Sequence, residues 1–292
     1  LVGYVENEKD IKMAIHNCAN NGDVTVQYYR AGGLIGVISG NKMNLNISES
    51  MNTGAIQGRD RLGGFIGVIE NNPDMMMSIS NSMNNGTVNG ENNIGGLIGE
   101  IYADSKMDVS VSGCSNKGSV TGTTIVGGLI GGSSSSDSQA PILLFVVVNS
   151  ENKGVVSARD GYACGMFCVN ETDGKGVNMT LFNSINKGDV SGETSAYGIT
   201  NIITSARNVV SMGSVTGESK SNTFWKAATD VDLFYGMKDK CVNCDASATL
   251  FEYDESVDCF VDVSTRMCVH TLLNDEVLEQ DYGMMWTNEL EL

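Results

Sequence analysis

Four cysteines near the C-terminus, Cys241, Cys244, Cys259 and Cys268, bring together the residues best suited to chemistry in this chain of 292 residues. The Cys-x-x-Cys spacing of Cys241 and Cys244 is that of a zinc knuckle. The second pair is separated by eight residues and lacks a knuckle's short turn, so disulfides are the expectation and no metal is assigned. Four cysteines allow three connectivities, and proximity in the chain favours Cys241–Cys244 with Cys259–Cys268. No thioredoxin-like βαβ pattern surrounds the first pair, which argues against redox catalysis.

Other reactive side chains are few and scattered. The two histidines, His16 and His270, have no nucleophile motif beside them, and a triad needs an imidazole oriented by a carboxylate. There is no His-Glu-x-x-His, no P-loop and no dinucleotide fingerprint. The expectation is therefore no catalytic residue, no cofactor and no metal. A formal charge of −17 without a Lys/Arg cluster argues against nucleic-acid binding and repels an anionic membrane surface. The longest apolar run, 140–148, is far shorter than the ~20 residues of a membrane helix. Sequons at Asn46, Asn85, Asn170 and Asn178 are candidate glycosylation sites and point to an extracellular or cell-surface location.

The elements that carry these residues are set by an internal repeat. Asn-x-Gly followed by a small or polar residue and then Val or Ile recurs at Asn20, Asn52, Asn84, Asn116, Asn152 and Asn186, with a worn copy at 211–215. The steps are 32, 32, 32, 36, 34 and 25 residues. A second anchor follows each time: Gly-Gly-Leu-Ile-Gly at 32–36, 95–99 and 127–131, Gly-Gly-Phe-Ile-Gly at 63–67, then the degraded 164–168 and 197–201. Leu1-Val2-Gly3 reads as the end of another such anchor, so the chain is expected to be a piece of a longer repeat protein.

Each unit holds three or four short period-2 segments separated by turn residues, and none has helical periodicity. Such a unit cannot bury its apolar face alone, but stacked coils can. The expected fold is all-β: a right-handed parallel β-helix of about seven coils, with a rise of ~4.8 Å per coil. The six asparagines then form a buried amide ladder. The glycine two residues on supplies a left-handed or otherwise non-standard backbone angle at the corner. Val24, Ile56, Val88, Val120, Val156, Val190 and Val215 stack in the core. Cys18 and Cys114 share a slot three coils apart, about 14 Å by strand spacing, too far for a disulfide. Both are expected to be small buried thiols. Cys164 and Cys168 can bond only if their strand has given way to a loop.

From Glu218 the grammar changes. Sixteen acidic residues face five basic ones, and nine of the nineteen aromatics lie there. The reading is a β-solenoid over 1–217 and an acidic, aromatic, disulfide-stapled cap over 218–292 that covers the open last coil.

The anchors, with the "NSMNNGTVNG" type of segment before them, resemble the GLUG-type repeats of large surface proteins, including adhesins and some bacterial IgA-specific metallopeptidases. The resemblance covers 1–217. It implies a β-helical, extracellular, non-catalytic stalk or binding surface, and no protease motif is present. The functional expectation is an adhesin, receptor or stalk that meets a protein or glycan on a cell surface or matrix through the loops at 133–141 and 170–176 and through the cap. Two alternatives stand beside it. One is a carbohydrate-active β-helix enzyme, which needs carboxylates gathered on one face. Asp23 and Asp189 share a slot but lie five coils apart. The other is an architectural filament segment.

Overall fold

The computed structural model describes residues 2–7, 9–40, 42–70, 74–135, 143–170, 176–221, 226–237, 249–280 and 286. Among these residues the chain winds as a parallel β-solenoid. A regular circuit has two longer strands, Ile66–Glu70 and Met75–Ser80, then three short ones, Met83–Asn84, Val88–Asn89 and Asn92–Gly95. Each strand pairs in parallel with its copies one circuit before and after; Val88, for instance, lies opposite Ile56 and Val120. Two faces are seven strands deep, so their first and last strands are six turns apart. A third, first in the circuit, has five strands, and the broad face is shared by the second strand and the short one after it.

Period-2 alternation places the core. On the broad face Met75, Met77 and Ile79 point in and are buried, while Met76 points out and is 56% exposed. The interior divides into two columns. The larger combines the first and broad faces around residues such as Ile66, Ile69, Met77 and Ile79. The smaller contains Ile56, Val88, Val120, Val156, Val190 and Val215, with Leu62 and Ile94 opposite and Val24 packed at its end.

Where the inner walls approach each other lies a waist, and the asparagine ladder is one side of it. Nδ2 of Asn20, Asn52, Asn84, Asn116 and Asn152 donates to Oδ1 of the next asparagine at 2.7–2.8 Å, ending at Asn186. Each of the six also donates to the carbonyl of the glycine two residues on, at 2.8–2.9 Å. Both amide hydrogens of the first five are thus used, as a buried polar row requires. In the seventh register stands Ser211, whose buried hydroxyl has no hydrogen-bond partner. The other side is the second glycine of each Gly-Gly anchor. A Cβ on Gly33, Gly64, Gly96, Gly128 or Gly165 would lie 2.5 Å from the amide group of Asn52, Asn84, Asn116, Asn152 or Asn186 respectively. The two sequence anchors are therefore two halves of one contact.

The corner glycines do a different job from the one expected. Gly40 and Gly113 are the described glycines with positive φ, at 137° and 61°. The glycine of Asn-x-Gly instead permits close stacking: a Cβ on Gly86 would overlap the carbonyl of Gly54 one coil away. Left-handed backbone runs instead down other columns, the longest being Asn17, Glu49, Asn81, Gly113, Asn149, Asn183 and Asn208. Asparagine tolerates that conformation. Part of this column is a second ladder, with Asn208 donating to Asn183 and Asn183 to Asn149, both at 2.6 Å.

Parallel stacking continues past Gly217. Ser219–Ser221 pairs with Ser195–Tyr197, and Lys226–Met237 pairs with Ile202–Ser211. Thr249–Asp254 adds one more parallel strand and turns back as an antiparallel hairpin with Cys259–Asp262. The helix Val269–Gln280 follows, and its Val269 and Leu273 pack with Trp286 on Ile185 and Val210. The cap region thus also lies against the flank of the last coils. It is pinned there by Asn208 Nδ2 donating to the Leu273 carbonyl at 3.1 Å and by the Trp286 indole donating to Asn183.

Candidate functional site

The expected chemistry-bearing residues are mostly absorbed by structure. The Asp23 carboxylate accepts from Ala55 N and that of Asp189 from Ser214 N, both at 2.8 Å. Each caps a corner of the following coil. His16 is exposed, with Nδ1 3.1 Å from Ser48 Oγ. In the cap, Asp262 is buried and accepts from the backbone of Ser264 and Thr265, and Arg266 bridges Glu252 and Asp254. The Asp254 carboxyl is held below the usual range first by the Ser256 hydroxyl, then by the Ser256 backbone, with Arg266 adding to it. Among the described residues no group of three or more His, Cys, Asp or Glu could hold a metal ion.

Cys259 and Cys268 are joined by a disulfide; Cys241 and Cys244 lie outside the described residues. Cys164 and Cys168 are also joined, and here the strand that should follow has shrunk to a single bridge between Ile130 and Phe167. Cys18 and Cys114 are free thiols. Cys114 is buried, and desolvation raises its pKa to about 11. Cys18 is a correction: it is exposed, because it belongs to the first described coil and has a stacked neighbour on one side only. Of the sequons, Asn46 and Asn85 are exposed and Asn170 and Asn178 half-buried. Of the expected binding loops, Ser133–Ser135 is buried at the end of a strand, while 136–141 and 171–175 lie outside the described residues.

The structure brings together residues that sequence reasoning missed, at the corner between one seven-stranded face and the first face. A groove of about 530 Å³ is lined by Tyr29, Arg30, Asp60, Arg61, Asn92 and Asn93. Tyr29, Asp60 and Asn92 are in register on successive coils. Asn92 Nδ2 donates to Asp60 Oδ1 at 2.7 Å, and Thr124 Oγ1 donates to Asn92 Oδ1 at 2.5 Å, so these polar groups are fixed relative to one another. Arg30, Arg61 and Asn93 form the next column, all with left-handed φ of 55–68°. Arg30 Nη1 meets Glu70 Oε1 at 2.7 Å. Arg61 lies 3.9 Å from Glu70 and places Nε 2.5 Å from Glu100 Oε2, an ion pair. Glu100 is 7% exposed; burial pushes its carboxyl above the usual range, while Arg61 pulls the other way. Beside the groove, Tyr28 packs against Tyr29 with ring centroids 6.2 Å apart, and both rings are more than half exposed.

The signal that could have found this corner was present as spacing against the repeat: Tyr29, Asp60 and Asn92 lie 31 and 32 residues apart and precede the Gly-Gly anchors by three residues each. A second groove, of about 430 Å³, lies on the outside of the broad face around Met76, Asp108, Leu144 and Val146. Comparison with protein-family models, curated proteins and solved structures finds no match to this chain.

Proposed function

We propose that the chain is a non-catalytic surface or secreted β-solenoid of the GLUG-repeat kind, acting as an adhesin, receptor or stalk. One observation carries this reading: the buried asparagines are spent on stacking, while the corner groove presents a half-exposed tyrosine, two ion-paired guanidiniums and a hydrogen-bonded amide at the surface. A rigid ladder carrying solvent-facing recognition groups suits binding more than turnover. The disulfides Cys164–Cys168 and Cys259–Cys268 favour an oxidising, extracellular compartment. No described helix is long and apolar enough to cross a membrane.

The carbohydrate-processing reading has one observation in its favour. Glu70 and Glu100 share Arg61, and burial holds Glu100 towards its neutral form, as a general acid requires. One preparation of the chain separates the two. Adhesion to cell-surface or matrix glycoconjugates without any release of reducing sugar from polysaccharides is the expected outcome. Sugar release that Glu100→Gln abolishes would overturn it. Intact mass with and without reductant and glycosidase tests the compartment: disulfides and added glycan are expected, and free thiols without glycan would contradict it.

A further inference from the structure

We infer that the corner groove lined by Tyr29, Arg30, Asp60, Arg61, Asn92 and Asn93 binds a neutral glycan chain running along the solenoid axis; this rests on the surface-binding reading above and assigns its ligand class and site. Three properties select that class. The first is charge. Arg30 faces Glu70, and Arg61 faces Glu100 and Glu70, so neither guanidinium stands as an open anion site. Asp60 adds a further carboxylate to the groove, on a chain of net charge −17. A sulfated or sialylated ligand would meet repulsion.

The second is the arrangement of donors and acceptors. Asp60, Asn92 and Thr124 are locked by their own hydrogen bonds, and Asn93 sits on a strand position beside them. Carboxylate and carboxamide groups each offer paired hydrogen-bonding atoms, the pattern that vicinal hydroxyls match. Because the groups are fixed before binding, little conformational entropy remains to be lost. The third is the aromatic surface. Tyr29 lines the groove at 53% exposure with Tyr28 beside it, an apolar face with a polar tip suited to the C–H face of a sugar ring. A peptide finds less here: the Asp60–Gly63 and Asn92–Gly95 strands are already paired on both sides, and among the described residues of the groove β-augmentation is open only along Tyr29–Gly32, an edge of this sheet. Repetition of polar groups from coil to coil favours an extended ligand over a single monosaccharide.

The test uses the whole chain on an array that carries neutral hexose and N-acetylhexosamine oligosaccharides beside sialylated and sulfated ones. Retention of a neutral oligosaccharide is expected, and the best binder is then titrated by calorimetry. Tyr29→Ala and Asp60→Ala should each weaken it about tenfold, and Tyr29→Phe only about two- to threefold, with thermal unfolding of the three variants close to wild type. A neutral ligand bound equally well by Tyr29→Ala and Asp60→Ala would overturn the groove while leaving surface binding intact. Binding of acidic glycans alone, or an array silent to neutral glycans while the chain still adheres to cells, would overturn the ligand class and again spare the broader reading.

Discussion

In the circuit that turns at Gly63–Gly67, three glycines let the chain reverse on itself. A Cβ on Gly63 would overlap the Ile66 carbonyl, one on Gly64 would strike Asn84, and one on Gly67 would lie 2.7 Å from Ala31 N and 2.9 Å from Arg61 O. In the circuit that turns at Cys164–Cys168, the first and third of these positions are cysteines joined by a disulfide, and only Gly165 is kept. The first face ends there, its last strand being Ile130–Ser135. One circuit later Tyr197 and Asn201 take the two outer positions, and the Asn201 side chain bonds Val169 N at 2.8 Å and Val169 O at 2.7 Å in place of a strand. The waist survives these changes, since Gly165 still faces Asn186. Corners can be rebuilt by a crosslink or a side-chain amide. The asparagine–glycine waist is what the early and late coils share, and so is the part that holds the stack.

The strongest way to break that distinction is Asn84→Leu. It strands an Asn52 donor, the Asn116 side-chain carbonyl and the Gly86 carbonyl, three buried groups at about 1–3 kcal/mol each, so urea unfolding should show a loss of about 3–9 kcal/mol. The neighbouring Asn85→Leu, at an exposed site, should stay within about 0.5 kcal/mol. Similar losses from both would leave the ladder no special role. Gly67→Ala is next: backbone atoms on three sides make this severe overpacking, and the same titration should register about 3 kcal/mol. Replacing Cys164 and Cys168 together by serine removes a short crosslink from a circuit whose waist is intact, and should cost about 2 kcal/mol. If it cost more than Asn84→Leu, the disulfide rather than the waist would be organising the late coils. The smallest effect separates the two free thiols without touching stability. Cys18 should react with iodoacetamide in the native protein at neutral pH, whereas Cys114, buried and with its pKa near 11, should react only after unfolding.

Much of this arrangement is legible in the sequence because the repeat is nearly commensurate. Three steps of 32 residues place Asn20, Asn52, Asn84 and Asn116 in one register, and once strands stack in parallel the ladder and the valine column follow. The glycines were harder. A sequence records that a Cβ is absent but not whether φ or close approach requires it; at Gly54 and Gly86 it is close approach. The left-handed column was hidden because Asn, Glu and Gly all occupy it, so no single residue type repeats. The corner groove was hidden for a related reason. Its Tyr, Asp and Asn differ in type at matching positions, and its glutamates come from a different face of the circuit. Chemistry assembled from unlike residues on neighbouring coils leaves no motif to read.

A double-mutant cycle on the ladder tests the central claim most directly. Asn84→Ala and Asn116→Ala each break the bond between these residues and each strand further partners, so the cost of that shared bond is counted twice when the single losses are added. Urea unfolding of wild type, both single variants and the double variant should therefore show the double losing less than the sum of the singles, by about 1–2 kcal/mol. Additive losses, or singles that leave stability unchanged, would contradict a stack held at its waist by the asparagine ladder.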